Sequence, residues 1–343
     1  MKQRLNSSPV AGRDERLESL RIWLAGSLDG AAFSLAPASA DASFRRYFRV
    51  TLSEKSLIAM DAPPEREDCR PFVKVARLMA DAGLHVPQVL AADIDRGYLL
   101  LTDLGDTTYL KALNDANADV LFGDAITALV AWQRASRPGV LPPYDRALLQ
   151  REMDLFPEWY VSRHLGVALS LAQHETLARI NGMLADSALA QPPVYVHRDY
   201  MPRNLMLSTP NPGVLDFQDA VYGPLTYDLA SLFRDAFISW PEERALDWVV
   251  RYWEQAKRAG LPVDEDFGAF YRAFEWMGLQ RHLKVLGIFA RIRYRDGKPA
   301  YLEDAPRFLS YAKAVCARYD ELSALARLLD EIEQRPPQIG YTF

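Results

Sequence analysis

The chain has 343 residues, 49% of them hydrophobic and 25% charged, the composition of a globular protein large enough for two cores and not of a disordered one. Its formal charge of −5 gives no general electrostatic reason to bind nucleic acid or an anionic membrane. Its two cysteines, Cys69 and Cys316, form no C-x-x-C pair and no Cys/His cluster, which argues against a disulfide framework and a zinc site. Charges at Arg4, Arg13, Asp14, Glu15, Arg16 and Glu18 leave no room for a signal-peptide core, and no run approaches about eighteen apolar residues. A cytoplasmic protein without a nucleic-acid, membrane or protein partner is expected.

In chain order, residues 14–30 read as a short amphipathic helix, with Leu17, Leu20 and Leu24 at helical spacing. DASFRRYFRVTL, residues 41–52, alternates as a strand, and SLIAMDAPPE, residues 56–65, is a second strand ended by Pro63 and Pro64. A helix follows, with Cys69, Phe72, Val73, Ala76 and Met79 on one face. HVPQVLAADID and GYLLLTDLGD are two more strands, turning at Asp95 to Gly97. From residue 107 helical periodicity dominates, at 119–136, 146–166, 171–188, 226–239, 242–259, 267–293 and 307–334, interrupted by β-like runs between 192 and 220. The expected fold is α+β, with a small antiparallel-sheet lobe carrying one main helix over residues 1–101. A hinge follows at 102–106, then a larger, mostly helical lobe over 107–343 with a β-loop insert at 192–220.

That insert contains VYVHRDYMPRNLML, residues 194–207, followed by LDFQD, residues 215–219. Polar groups set this closely among apolar ones need a reason to be desolvated. HRDYMPRN matches the catalytic-loop pattern H-R-D-L-x-x-x-N of protein kinases, with Tyr200 in place of Leu. Asp199 and Asn204 are five residues apart, and Asp216 lies seventeen residues after Asp199. Phosphoryl transfer needs a carboxylate to accept the proton of the attacking hydroxyl and hard oxygen donors to hold Mg²⁺ against the phosphates. Asp199 is the expected base, Asn204 and Asp216 the expected metal ligands, and ATP with Mg²⁺ the expected cofactors.

The same stretch, with GVLDFQDAVYGPLTYDLASLFRD, resembles the aminoglycoside phosphotransferase-like branch of the protein-kinase-like fold, which implies a two-lobed enzyme. RRYFRV, MDAPPE, LLLTDLGD, FPEWYVSRHLG, QRHLKVLGIFAR and YRDGKPAYLEDAPR are similar to the bacterial anomeric kinases of peptidoglycan recycling. That narrower likeness implies transfer of the ATP γ-phosphate to the C1 hydroxyl of N-acetylmuramate or N-acetylglucosamine. The resemblance further implies that the backbone of Thr102, Asp103 and Leu104 receives adenine, that Asp228 opens a helix and bonds the catalytic-loop backbone, and that His197 and Arg198 are scaffold.

Two parts of the kinase pattern are missing. The third-strand Lys that holds the α- and β-phosphates is replaced by Met60 or Asp61, and no G-x-G-x-x-G run precedes the first strand. Ser43 with one of Arg45, Arg46 or Arg49 is the expected substitute. Seven cations against Glu275 and Asp296 between residues 270 and 298 suggest a basic surface, and Arg281, His282 and Lys284 lie in an apolar run where a charge needs a partner. Candidate acceptor contacts are Glu158, Trp159, Arg203, Gln218, Asp219, Arg281 and His282. The alternatives are a kinase of aminoglycosides or other small alcohols, and a non-catalytic nucleotide-binding protein.

Overall fold

A computed structural model describes residues 14–39, 44–235 and 237–333. The chain divides into two compact units, one taking the described residues up to Lys74 together with Pro87–Asp103, the other Val75–Val86 and everything from Leu104. In that part of the chain the division lies between Asp103 and Leu104. The second half of the early helix groups with the helical unit, not with the sheet.

The smaller unit is a five-stranded antiparallel sheet in the order β1-β2-β3-β5-β4, with β1 Ser34–Ser39, β2 Arg46–Thr51, β3 Ser56–Asp61, β4 Val89–Asp93 and β5 Tyr98–Thr102. Strand β1, SLAPAS, has no alternating apolar pattern, and Pro37 cannot donate to a ladder. It is found where proline is tolerated, on the sheet edge, with an irregularity between Pro37 and Ser39. Helix α1 (Glu15–Ser27) begins on Asp14, whose carboxylate accepts from the Leu17 N–H at 3.0 Å. It buries Leu20 and Leu24 against Phe48, Val50, Leu57, Tyr98 and Leu100 of the sheet.

Helix α2 (Arg70–Asp81) leads into the larger unit, which contains α3 (Tyr109–Ala112), α4 (Ala118–Arg134), α5 (Arg146–Met153), a π-helix (Phe156–His164) and α6 (Leu171–Ala190). The stretch read as one helix over 146–166 is therefore two. Pro157 has no N–H to continue the α pattern, and beyond it the ladder widens, with Leu165 N–H donating to Tyr160 O at 3.0 Å.

The insert runs four residues further than expected. Strand β9 (Val221–Pro224) pairs with β6 (Pro193–Val196) and closes it, while the small hairpin β7 (Leu205–Met206) and β8 (Gly213–Val214) lies within. Helix α7 (Tyr227–Phe233) stops short of the expected 239, and α8 (Glu242–Arg258) and α9 (Phe267–Asp296) follow. The last predicted helix, 307–334, is also two, α10 (Ala305–Cys316) and α11 (Ser323–Glu333). At the break, Arg318 pairs with the buried Glu275, and Tyr319 donates to the same carboxylate at 2.7 Å.

Helix α9 is buried on all sides between Phe274 and Leu286, so its neighbours approach closely. A Cβ on Gly287 would lie 2.4 Å from the backbone carbonyl of Leu155, beside the π-helix. Gly287→Ala should accordingly push these two elements apart and cost about 1–3 kcal/mol, read as a lowered Tm with the far-UV spectrum retained.

Candidate active site

The loop after β6 carries His197, Arg198 and Asp199. Arg198 takes a φ of +79°, a left-handed conformation that costs a non-glycine residue about 1–3 kcal/mol and persists only when its surroundings hold it. Two contacts do so. Asp228, fully buried near the start of α7, accepts the backbone N–H of His197 at 2.7 Å on one oxygen and that of Arg198 at 2.9 Å on the other. The Arg198 guanidinium donates to the buried Glu152 of α5 at 2.5 Å.

His197 is buried, and its ring has one workable tautomer. Nε2 donates to the Leu215 carbonyl at 3.0 Å, while Nδ1 accepts the Asp199 N–H at 3.2 Å. Burial holds the imidazole down at about 4, against the pull of Asp199 and of the Leu215 carbonyl. Leu215 is gripped from both sides, because its own N–H donates to Asn204 O at 2.9 Å. The next residue, Asp216, has a φ of +61° and is exposed.

Asn204 completes the group. It lies on the 3-10 turn Pro202–Asn204, and its Nδ2 donates to the Asp199 carbonyl at 2.9 Å and lies 3.5 Å from Asp216 Oδ2. With the amide nitrogen committed to Asp199, the amide oxygen is the face Asn204 can offer a cation. Gln218 Nε2 donates to Asp216 Oδ1 at 3.0 Å and lies 3.4 Å from Asp219 Oδ2. Asp199 itself is about a third exposed, with Arg281 Nη2 3.8 Å from its Oδ1. One partly exposed carboxylate, one amide and a second exposed carboxylate are thus held together by backbone contacts in a single loop system.

Beneath the loop lies a buried ionic cluster. Lys284 of α9 is 2.8 Å from Glu152 and donates to the Tyr227 hydroxyl at 2.8 Å, and Tyr144 donates to the other Glu152 oxygen. Burial alone would raise the Glu152 carboxyl, but Lys284 and Arg198 outweigh it and hold it down at about 2. Arg281 donates to Ser231 Oγ at 2.8 Å. Arg281 and Lys284 are buried and paired inside the unit, as charges in an apolar run require, while the basic count over 270–298 is reduced further because Arg272 pairs with Glu321 and Arg295 with Asp296. Glu152 was not anticipated, although it falls on the buried stripe Leu149, Met153, Phe156, where an acid signals a hidden partner.

The remaining candidates are spread out. His282 is fully buried against Phe308 and Tyr311, and burial with the nearby Arg234 and Arg281 pushes its ring well below the usual range, so it stands in the core as a neutral aromatic. Glu158 is exposed, and Trp159 is half-buried with Arg163 5.9 Å from its ring centroid. The Arg203 guanidinium sits 4.8 Å from the Phe237 ring centroid. In the smaller unit, Asp61 is fully buried where the phosphate-binding Lys was missed, and it accepts from Arg16 at 2.6 Å and from Arg46 at 2.5 and 2.8 Å. Arg46 also pairs with Asp14, so a phosphate contact from it would require releasing two carboxylates. Arg45 lies 3.9 Å from Glu67, and Arg49 donates to Asp103 at 2.7 Å. Thr102 spends its N–H on Gln88 O, and Leu104 is buried; Ser43 lies outside the described residues.

The acid response follows from three buried groups. His197 adds stability that is complete above about 6.5 and erodes as pH falls through about 4. Asp228, which burial raises to about 7 against the pull of its two N–H donors, does the reverse, adding stability that is complete below 3.8 and lost as pH rises through 7. The two oppose each other between these limits. Glu152 adds stability that is complete above 4.5 and is lost as pH falls toward 2. The Tm of the protein should change little between pH 6.5 and 4.5 and drop below that, whereas Asp228→Asn should show a Tm that falls steadily from pH 6.5 downward.

The sequence profile of the phosphotransferase enzyme family matches residues 34–267, and the chain belongs to that family. It is 56% identical over 330 residues to a protein of Pseudomonas putida named N-acetylmuramate/N-acetylglucosamine kinase, covering 93% of this chain and 97% of that one. A protein of the same name from Neisseria meningitidis is 51% identical over 335 residues, covering 96% of this chain and all of the other. Among solved structures, an ADP-bound aminoglycoside phosphotransferase superposes with a TM-score of 0.59 at 14% identity over 85% of this chain and 97% of its own. A choline kinase of Streptococcus pneumoniae gives 0.58 at 13% identity over 88% and 99%. These two share the fold. Among the described residues no helix is long and apolar enough to cross a membrane.

Proposed function

We propose that this chain is an amino-sugar kinase that transfers the γ-phosphate of ATP to the C1 hydroxyl of N-acetylmuramate or N-acetylglucosamine, giving the sugar 1-phosphate as a step in peptidoglycan recycling. The observation that carries the proposal is 51–56% identity, over almost the entire chain, to kinases named for these two sugars, in a chain that keeps Asp199, Asn204 and Asp216 together.

In this reading Asp199 orients the C1 hydroxyl and takes its proton as the oxygen bonds to the γ-phosphorus and the bond to the β-phosphate oxygen breaks, releasing ADP. Asn204 Oδ1 and an Asp216 carboxylate oxygen are hard donors of the kind Mg²⁺ takes, and with nucleotide phosphates and water they suffice. Bound there, Mg²⁺ would offset charge on the phosphates. Asp228 and His197 act by holding the loop, and the backbone of residues 102–104 is assigned to the adenine.

The test is ADP release from ATP and Mg²⁺ with N-acetylmuramate, N-acetylglucosamine, their 1-O-methyl glycosides, glucose and kanamycin. Turnover is expected with the two free N-acetylated sugars and not with the methyl glycosides, whose C1 oxygen carries no proton. Turnover of the glycosides would overturn the C1 assignment, and turnover of kanamycin alone would overturn the amino-sugar reading.

A further inference from the structure

The two sugars named for the related kinases differ by one group. N-acetylmuramate carries a 3-O-lactyl ether ending in a carboxylate, so one acceptor is an anion and the other is neutral. A site that serves both has a place where that charge is either met or left to water.

The larger unit contains a cavity of about 420 Å³ that suits this role. Its lining includes Leu110 and Lys111 of α3, Arg203, Phe237, Tyr301 and Asp304. It adjoins the catalytic loop, because Arg203 directly precedes Asn204 on the same turn, and α3 packs on that turn. The chain just before α3 is tied to the strand just after it, with Leu207 N–H donating to Thr107 O at 2.8 Å and Thr108 bridging to Met206.

Two cations face one acid in this lining, the reverse of what a polycationic aminoglycoside would need. Arg203 lies over Phe237, 4.8 Å from the ring centroid, and its planar guanidinium is of the kind a carboxylate meets bidentately. Lys111 reaches Asp106 O at only 3.4 Å, a long contact that a charged ligand can outcompete. Leu110, Phe237 and Tyr301 supply apolar surface for a pyranose face.

Resting on the amino-sugar reading above, we propose that Lys111 and Arg203 bind the lactyl carboxylate, so that this cavity sets the preference for N-acetylmuramate over N-acetylglucosamine. The test compares kcat/KM for N-acetylmuramate, its lactyl carboxamide and N-acetylglucosamine, in the wild type, Lys111→Met and Arg203→Gln. The carboxamide keeps the shape and removes the charge. The wild type should favour the carboxylate over the carboxamide about tenfold to a hundredfold, and each variant should shrink that ratio at least severalfold. A wild type that treats the two alike, or variants that depress all three substrates equally or act only on the KM for ATP, would overturn the subsite. Turnover of N-acetylglucosamine without turnover of N-acetylmuramate would overturn the subsite and leave the kinase assignment standing; turnover of neither would overturn both.

Discussion

Asp199→Asn is expected to lower kcat with either N-acetylated sugar by about 10²–10⁴-fold while leaving the KM for ATP within about a factor of three. The asymmetry follows from the position of the carboxylate. It is partly exposed, with Arg281 Nη2 3.8 Å away, and the loop is held through the Asp199 backbone, which bonds His197 and Asn204. The amide is nearly isosteric and leaves those backbone contacts in place, so the Tm should stay within about 2 °C of wild type. What the amide cannot do is accept the proton of the attacking hydroxyl. Stopped-flow or coupled assays of ADP release, beside nucleotide binding by calorimetry, separate the two effects. A loss that appears in ATP affinity instead of turnover would assign Asp199 to nucleotide binding.

Glu152→Gln should be the most damaging single change to stability, about 3–5 kcal/mol, because it leaves Arg198 and Lys284 buried together without their shared counter-ion. Since Arg198 carries one of the two strained backbone positions of the site, activity should fall as well, in proportion to how far the loop relaxes. Two further readings distinguish this account from simple mispacking. The double variant Glu152→Gln/Lys284→Met should be less destabilised than the sum of the single variants by at least about 1 kcal/mol. The steep acid loss of Tm below pH 4.5 should also be absent from Glu152→Gln, which has no carboxyl to protonate at that position. Strict additivity with an unchanged acid limb would place the stability elsewhere.

Most of this fold could be read from local pattern. The long helices and the inner strands follow their apolar periods, and HRDYMPRN with the following Asp216 is compact enough that its spacing marks the loop, although Asp228 and Glu152 are needed to hold it. What stayed hidden depends on partners far along the chain. Strand β1 has a sequence that resembles a turn and becomes a strand only because β2 offers it an edge. The breaks at residues 154–155 and 317–322 arise from a proline and from the pull of Glu275 on Arg318 and Tyr319, which are more than forty residues away in sequence. The apolar run around Arg281 and Lys284 signals that each needs a partner, but not that the partners are Asp199, Ser231, Glu152 and Tyr227, which lie far away in sequence. The replacement of the kinase lysine was legible as an absence, but the pairing of Asp61 with both Arg16 and Arg46 was not, because Arg16 lies on a helix forty-five residues earlier.

The central claim is that the phosphate lands on the anomeric oxygen of an N-acetylated sugar. The most direct measurement is proton-coupled phosphorus NMR of the product formed from ATP, Mg²⁺ and N-acetylmuramate, followed through mild acid treatment. A single phosphomonoester signal split by the anomeric proton, lost in acid with recovery of inorganic phosphate and free sugar, is the predicted result. An acid-stable product whose phosphorus couples to the C6 methylene protons would contradict it.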